Sequence, residues 1–135
     1  MAYFDWSDEM SVNVHAIDSQ HKILIEMINT LHEAMLARKG REMQKTTIDA
    51  MVEYAATHFK LEEGYMKKFT YPGYDAHKGE HDAFTAKAQD LKERAEQKGF
   101  GLTLEIMGFL KDWLQNHIMG TDKKYSKFFN EHGLR

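Results

Sequence analysis

The sequence predicts an all-α protein: an up-down-up-down antiparallel four-helix bundle with a non-helical aromatic N-terminal arm and a short C-terminal extension. Apolar residues recur at intervals of three and four in four long segments, which is the period of an α-helix. Only one proline, Pro72, interrupts the 135 residues, so long stretches are free to be helical. Short loops between helices of similar length favour the up-down-up-down arrangement.

The first predicted helix begins at Asp18 or Ser19, either of which can cap it, and ends near Gly40. The side chains on its inner stripe are His21, Leu24, Ile25, Ile28, Leu31 and Met35. The second helix covers about residues 42–68 and ends at the turn sequence Thr70-Tyr71-Pro72-Gly73. Its inner stripe consists of Ile48, Met51, Val52, Ala55, Phe59, Glu62 and Met66.

The third predicted helix begins near Asp75, and Gly99 and Gly101 mark its end. Its inner stripe consists of His77, His81, Phe84, Ala88, Leu91 and Ala95. The fourth helix covers about residues 102–119. Its inward side chains are Ile106 or Met107, Leu110, Trp113, Leu114 and His117. The remaining tail is the C-terminal extension and has room for another helical turn.

Composition excludes several classes of function. The net charge of −3 gives no attraction to nucleic acid or to an anionic membrane. No apolar run is long enough to cross a bilayer, and the N-terminus lacks the basic start and apolar block of a secretory signal. The absence of cysteine excludes disulfides, thiolate metal sites and cysteine nucleophiles. We therefore expect one cytoplasmic, monomeric domain spanning residues 1–135.

Two pairs of polar side chains stand on the apolar stripes. His58 and Glu62 are four residues apart, as are His77 and His81, so each pair lies on one face of its helix. Both pairs point into the bundle, where polar groups without partners would be costly. A shared metal ion would remove that cost.

The bundle topology brings further ligands to the same place. His21 lies near the start of the first helix and His117 near the end of the fourth, so both fall at the end of the bundle that holds the two pairs. Asp122 follows His117 by five residues, which in a continued α-helix places it about 140° away. We therefore expect Gly120 to end the helix, so that the chain turns Asp122 back over the bundle end.

The predicted metal ligands are His21, His58, Glu62, His77, His81, His117 and Asp122. Seven ligands are too many for one ion, and histidine with carboxylate suits iron, zinc, manganese or copper. Two six-coordinate ions offer twelve positions. The five histidines, two bridging carboxylates and a bridging oxo or hydroxo group fill all but one of them. A two-metal centre that binds one small ligand fits this sequence.

Four ordered motifs carry a resemblance to a known family. The sequences DSQH at 18–21, HFKLEE at 58–63, HKGEH at 77–81 and HIMGTD at 117–122 resemble the hemerythrin family, and in particular its single-domain bacterial members. The resemblance covers nearly the whole chain. It includes the aromatic start at Phe4-Asp5-Trp6 and the pair Asp122 and Tyr125.

The resemblance implies a non-haem di-iron centre that binds dioxygen reversibly. One iron (Fe²⁺/Fe³⁺) would be held by His77, His81 and His117, and the other by His21 and His58. Glu62, Asp122 and an oxo or hydroxo group would bridge them. Dioxygen would bind at the iron with two histidines, where the open position lies.

The same centre is compatible with more than one role. Oxygen transport, storage or delivery to an oxygen-consuming enzyme is the leading interpretation. The alternatives are oxygen or redox sensing, iron handling, and di-iron oxidase or peroxidase activity. Catalytic di-iron bundles typically use four carboxylates and two histidines. A set rich in neutral histidine favours binding, so we expect no enzyme and no catalytic residue.

Apolar residues near the ligands are expected to line a dioxygen pocket. They are Trp113, Leu114 and Ile118 around His117, and Leu24 and Ile25 beyond His21. His15, His32 and His132 match no ligand position. Glu63 is expected either to face outward or to support a ligand.

Overall fold

The structure, a computed structural model, describes residues 4–98 and 102–135 and confirms the all-α bundle. Its long helices are α1 (His15–Leu36), α2 (Gly40–Lys68), α3 (Tyr74–Lys98) and α4 (Thr103–Asp112). α4 continues as a π-helix, Trp113–Thr121, and then as a 3₁₀ turn, Asp122–Tyr125. A last helix, α5 (Ser126–Glu131), follows.

The helices alternate in direction. His21 near the start of α1 lies beside His58 near the end of α2, with 5.0 Å between ring centroids. His77 at the start of α3 lies 4.7 Å from His117, which follows α4. At the opposite end, Arg94 of α3 is bonded to Glu105 of α4. The starts of α1 and α3 therefore meet the ends of α2 and of the α4–π segment.

The start of α1 differs from the prediction. The helix begins at His15, so Asp18 lies inside the first turn rather than at the cap. The Asp18 carboxylate instead accepts the Val12 backbone N–H at 2.8 Å and the Ser11 hydroxyl at 2.5 Å. Asp18 therefore ties the incoming chain to the helix.

The connections are short and use special backbone angles. Arg38 adopts a φ of 61° between α1 and α2, and Thr70 adopts a φ of 56° between α2 and α3. Gly40 does not end α1 but begins α2. A Cβ there would lie 3.0 Å from Thr103 Cγ2 and 3.1 Å from Met35 Cγ, so the glycine permits a close approach. Gly99 and Gly101 lie outside the described residues.

The apolar stripes of the long helices form one large core. A second cluster lies at the ligand end, beneath α5: Val12, Val14, Ile17, Met66, Tyr125 and Phe129. Two polar contacts fasten this end, since Ser126 donates to the Val12 carbonyl at 2.6 Å and Asn130 to the Asn13 carbonyl at 2.9 Å. The C-terminal extension thus closes the bundle over the ligands.

The N-terminal segment lies along α1. The Phe4 N–H donates to Asn29 Oδ1 at 2.8 Å, and Asn29 Nδ2 donates to the Phe4 carbonyl at 2.7 Å. The Lys22 ammonium stands 4.9 Å from the centre of the Trp6 ring. In the described part of the chain, no helix has the length and apolar character needed to cross a membrane.

Candidate metal centre

The predicted side chains come from α1, α2, α3 and the segment that follows α4. The structure brings all seven together at one end of the bundle, and each is no more than 2% exposed. They form two groups whose ligand atoms lie within 4.8 Å of one another. One group is Glu62, His77, His81, His117 and Asp122; the other is His21, His58, Glu62 and Asp122. Glu62 and Asp122 belong to both groups.

Asp122 reaches the cluster by a route that the sequence did not predict. Its backbone N–H donates to the carbonyl of His117, five residues earlier, as in a π-helix. The wider turn brings residues five apart closer to the same face than an α-helix does, and Asp122 Oδ1 lies 2.9 Å from His117 Nε2. The expectation that Gly120 ends the helix is wrong. Gly120 has no positive φ, and a Cβ there would meet nothing within 4 Å.

The five histidines direct their Nε2 atoms at the two shared carboxylates. The Nε2-to-oxygen distances are 3.0 Å for His21–Asp122, 2.8 Å for His77–Asp122, 2.9 Å for His117–Asp122, 2.9 Å for His58–Glu62 and 3.7 Å for His81–Glu62. When two donor atoms each lie about 2.1 Å from one ion and the donor–ion–donor angle is a right angle, the two donors are about 3 Å apart. The spacing of the donor atoms therefore fits shared metal ions.

Several of these atoms have no hydrogen-bond partner although they are buried. They are Nε2 of His21, His77, His81 and His117, Oε2 of Glu62, and both carboxylate oxygens of Asp122. Each unpaired buried polar atom costs about 1–3 kcal/mol. Their concentration in one place indicates a site built for a further group. Nitrogen and oxygen donors with two shared carboxylates fit a di-iron site.

Electrostatics favour the carboxylate form of Asp122 and the neutral form of His81. Burial alone would raise the pKa of Asp122, but the imidazole Nε2 atoms of His117, His21 and His77, each within 3.0 Å of its oxygens, hold that pKa well below its usual range. Burial lowers the pKa of His81 to about 3, so its imidazole is neutral near pH 7. A carboxylate and a neutral imidazole are the forms that bind metal.

A second layer of hydrogen bonds holds the ligands. His81 Nδ1 pairs with Glu63 Oε2 at 2.8 Å, so Glu63 contacts a predicted ligand. His117 Nδ1 pairs with Glu80 Oε1 at 2.9 Å, and His58 Nδ1 pairs with Gln20 Oε1.

Two hydroxyl groups complete this layer. The Thr121 hydroxyl donates to the same Glu80 carboxylate at 2.9 and 3.1 Å. The Tyr125 hydroxyl donates to Glu62 Oε1 at 2.7 Å.

The sequence reasoning missed Gln20, Glu80 and Thr121 as supports. A signal was present, because each directly precedes a predicted ligand in the chain: His21, His81 and Asp122 respectively. Yet Gln20 and Glu80 support the histidine of another helix, which the spacing along one helix does not indicate.

Aromatic rings cover the faces of four of the ligand histidines. The centroid distances are 4.7 Å for Tyr54–His58, 3.9 Å for Phe59–His81, 3.9 Å for Trp113–His117 and 5.4 Å for Tyr125–His77. Such stacking restricts rotation of the imidazoles and excludes water from them. The ligands are thus held in place by packing as well as by hydrogen bonds.

The expected pocket residues Leu24, Ile25, Trp113, Leu114 and Ile118 are all buried in the large core. Their role toward dioxygen stays a prediction. His15 and His132 are exposed and His32 is partly buried, and none of the three belongs to either ligand group.

Comparison with known proteins identifies the family. A sequence model of the family described as "Hemerythrin HHE cation binding domain" matches residues 12–129. Bacteriohemerythrin of Methylococcus capsulatus is 36% identical over 126 residues, which is 93% of this chain and 95% of the relative. Bacteriohemerythrin of Stenotrophomonas maltophilia is 35% identical over 98% of this chain and 85% of its own. A crystal structure of wild-type hemerythrin, 35% identical, superposes with a TM-score of 0.83 over 93% of this chain and 97% of its own. The chain therefore belongs to the hemerythrin family.

Proposed function

We propose that this protein binds dioxygen reversibly at a non-haem di-iron centre, for transport, storage or delivery to an oxygen-consuming enzyme. The observation that carries the proposal is the division of seven buried ligands into two groups that share Glu62 and Asp122. His77, His81 and His117 complete one iron position, and His21 and His58 complete the other. The position with fewer histidines would be the one left open to a small ligand.

When bound, two irons would supply the reversible binding of dioxygen. The chain supplies the rest. Glu62 and Asp122 would be shared by the two iron positions, and the Tyr125 hydroxyl donates a hydrogen bond to the Glu62 carboxylate. Because five imidazoles, which bind metal in their neutral form, accompany only two carboxylates, the set favours binding over catalysis.

The apolar side chains around the ligands protect the centre from water. Leu24, Leu114 and Ile118 are fully buried, and Ile25 and Trp113 nearly so. In this role they would exclude the water and protons that promote irreversible oxidation of the ferrous pair. We propose these five as the lining of the dioxygen pocket in a single monomeric domain of residues 1–135.

The proposal is tested by absorption spectroscopy of iron-quantified protein. The protein is reduced without oxygen, exposed to air and then purged with inert gas. Two irons per chain, a colourless reduced form and a visible band that disappears on purging are the expected results. His58→Ala should lose the band, whereas His15→Ala, at an exposed histidine outside both groups, should keep it.

Other results of this experiment would favour a different function. Immediate irreversible oxidation would remove the carrier role and favour oxygen or redox sensing. Preference for zinc over iron, or iron that is released readily to a chelator, would favour metal handling.

A further inference from the structure

The second layer of hydrogen bonds treats the two metal positions differently. In the three-histidine group, His81 and His117 pair through Nδ1 with carboxylates, those of Glu63 and Glu80. In the two-histidine group, His58 pairs with the neutral amide of Gln20. The remaining histidine of that group, His21, has a buried Nδ1 without a hydrogen-bond partner. Both carboxylate partners thus fall on one side of the centre.

This difference has a chemical consequence. All five Nε2 atoms face the shared carboxylates, so an imidazole that binds metal through Nε2 carries its proton on Nδ1, and His58, His81 and His117 donate that proton outward. A carboxylate acceptor attracts that proton more strongly than an amide does, and this raises the basicity of the ligating nitrogen. A more basic nitrogen stabilises a more highly charged metal ion. The three-histidine position therefore receives the stronger donors.

The surroundings of the Glu63 and Glu80 carboxylates favour stable contacts with the two histidines. The Glu63 side chain is 18% exposed and the Glu80 side chain 44% exposed, so both lie at the boundary of the core. Glu80 is nevertheless fixed, because the Thr121 hydroxyl donates to both of its oxygens while His117 pairs with one of them. The contact to His117 is therefore held from two sides.

We infer that Glu63 and Glu80 are positioning residues that stabilise ferric iron selectively at the three-histidine position, while Gln20 keeps the two-histidine position electron-poor. The inference rests on the proposed di-iron function. It adds a difference in role between the two metal positions. The three-histidine position is tuned to hold the oxidised state, and the two-histidine position is kept available for a small ligand.

The alternative is that these residues only orient the imidazoles. Glutamine separates the two roles, because Glu63→Gln and Glu80→Gln retain an oxygen acceptor of the same length but remove the charge. Gln20→Glu is the reciprocal change, which adds a carboxylate beside His58. Glu93→Gln is the matched control, since it removes an exposed charge from α3 about 18 Å along the helix from His81.

The first measurement is the reduction potential of the iron-loaded protein by spectroelectrochemistry. Loss of one carboxylate should weaken the preference for ferric over ferrous iron about tenfold, which raises the potential by about 59 mV for a one-electron step. Gln20→Glu should lower the potential by a similar amount. Glu93→Gln should leave it unchanged.

The second measurement needs no oxygen chemistry. In zinc-loaded protein with ¹⁵N-labelled histidine, the Nδ1–H protons of His81 and His117 should resonate downfield of that of His58. Glu63→Gln and Glu80→Gln should shift the resonances of their own histidines upfield, and Gln20→Glu should shift that of His58 downfield.

The outcomes separate the two proposals. If two irons bind and dioxygen binding is reversible, yet the three charge variants leave the potential unchanged, this inference is wrong and the proposed function stands. If the wild-type protein binds no iron pair while the zinc-loaded spectra show the asymmetry, the proposed function falls and the tuning applies to another metal. Equal resonances for all three histidines would overturn the inference whatever the metal.

Discussion

The Tyr125 hydroxyl shows how much one buried contact contributes at the scale of a residue. Both it and its acceptor, Glu62, are fully buried, and a hydrogen bond to a charged group stabilises by about 1.5–3 kcal/mol. Tyr125→Phe should therefore lower the free energy of unfolding of the metal-free protein by about that amount. Chemical denaturation measures it. Tyr65→Phe, at a partly buried ring outside the ligand groups, should change little.

Ile118 allows a test of water exclusion next to His117. Ile118→Thr introduces a hydroxyl group at a fully buried position, and we expect faster oxidation of the oxygenated protein, by severalfold. The decay of the visible band measures the rate. Ile106→Thr places the same change at an equally buried site in α4, away from the ligands, and should alter stability without altering that rate. Equal rates in the two variants would remove Ile118 from the proposed pocket.

At this scale, spacing along the sequence predicted which side chains would meet but not what supports them. His58 with Glu62 and His77 with His81 are neighbours within one helix, so a fixed period places them. Gln20 and Glu80 depend instead on the rotation of one helix against another. A few degrees of rotation decide whether they reach a ligand, and the period of a single helix carries no such information.

At the scale of an element, the π-helix accounts for the position of Asp122, and its glycine is open to substitution. A Cβ at Gly120 has free space, so Gly120→Ala should raise stability by up to about 1 kcal/mol through its helix propensity and should preserve metal binding. Gly40→Ala has the same propensity gain but forces its Cβ against Met35 and Thr103. Thermal unfolding should therefore rank Gly120→Ala above Gly40→Ala. The reverse order would contradict the packing at Gly40.

The contact between α3 and α4 should depend on pH. Hydrogen bonds from Arg94 and Lys87 lower the pKa of Glu105 to about 2. Since this pKa is below the unfolded value of about 4.3, the contact stabilises the fold above pH 4.3 and loses its effect as the pH falls toward 2. Glu105→Gln should lower the melting temperature slightly at pH 7 and by much less at pH 2.5. The side chain is 37% exposed, so high salt should weaken the effect.

The sequence predicted the helices better than their ends. Apolar periodicity located all four long helices, because burying such a stripe decides whether a helix forms. It placed the cap of α1 at Asp18 or Ser19, four or five residues after the observed cap at Val14, because the Asp18 carboxylate accepts hydrogen bonds from Val12 and Ser11 upstream rather than from its own first turn. The π-helix was not predicted either, because the apolar residues of the fourth helix follow an α-helical period as far as His117.

At the scale of the whole molecule, metal removal should destabilise one end of the bundle without unfolding the protein. The large core lies mostly away from the ligands, so circular dichroism of the chelated protein should still show helix. The melting temperature should fall by on the order of 10 °C and recover when Fe²⁺ or Zn²⁺ is added back. An unchanged melting temperature would mean that the seven side chains bind no metal with useful affinity.

The meeting of four chain segments at one buried point would, with metal bound, also cross-link a protein whose sequence contains no cysteine. The ligands extend from His21 to Asp122, nearly the length of a chain that has no cysteine. A metal pair shared among them would restrict the unfolded chain as several disulfides do. Acid or a chelator would remove the metal and so break this cross-link, whereas thiol reductants would leave it intact. The stability of the folded protein in a cell would then depend on the supply of metal and not on the thiol redox state of the compartment.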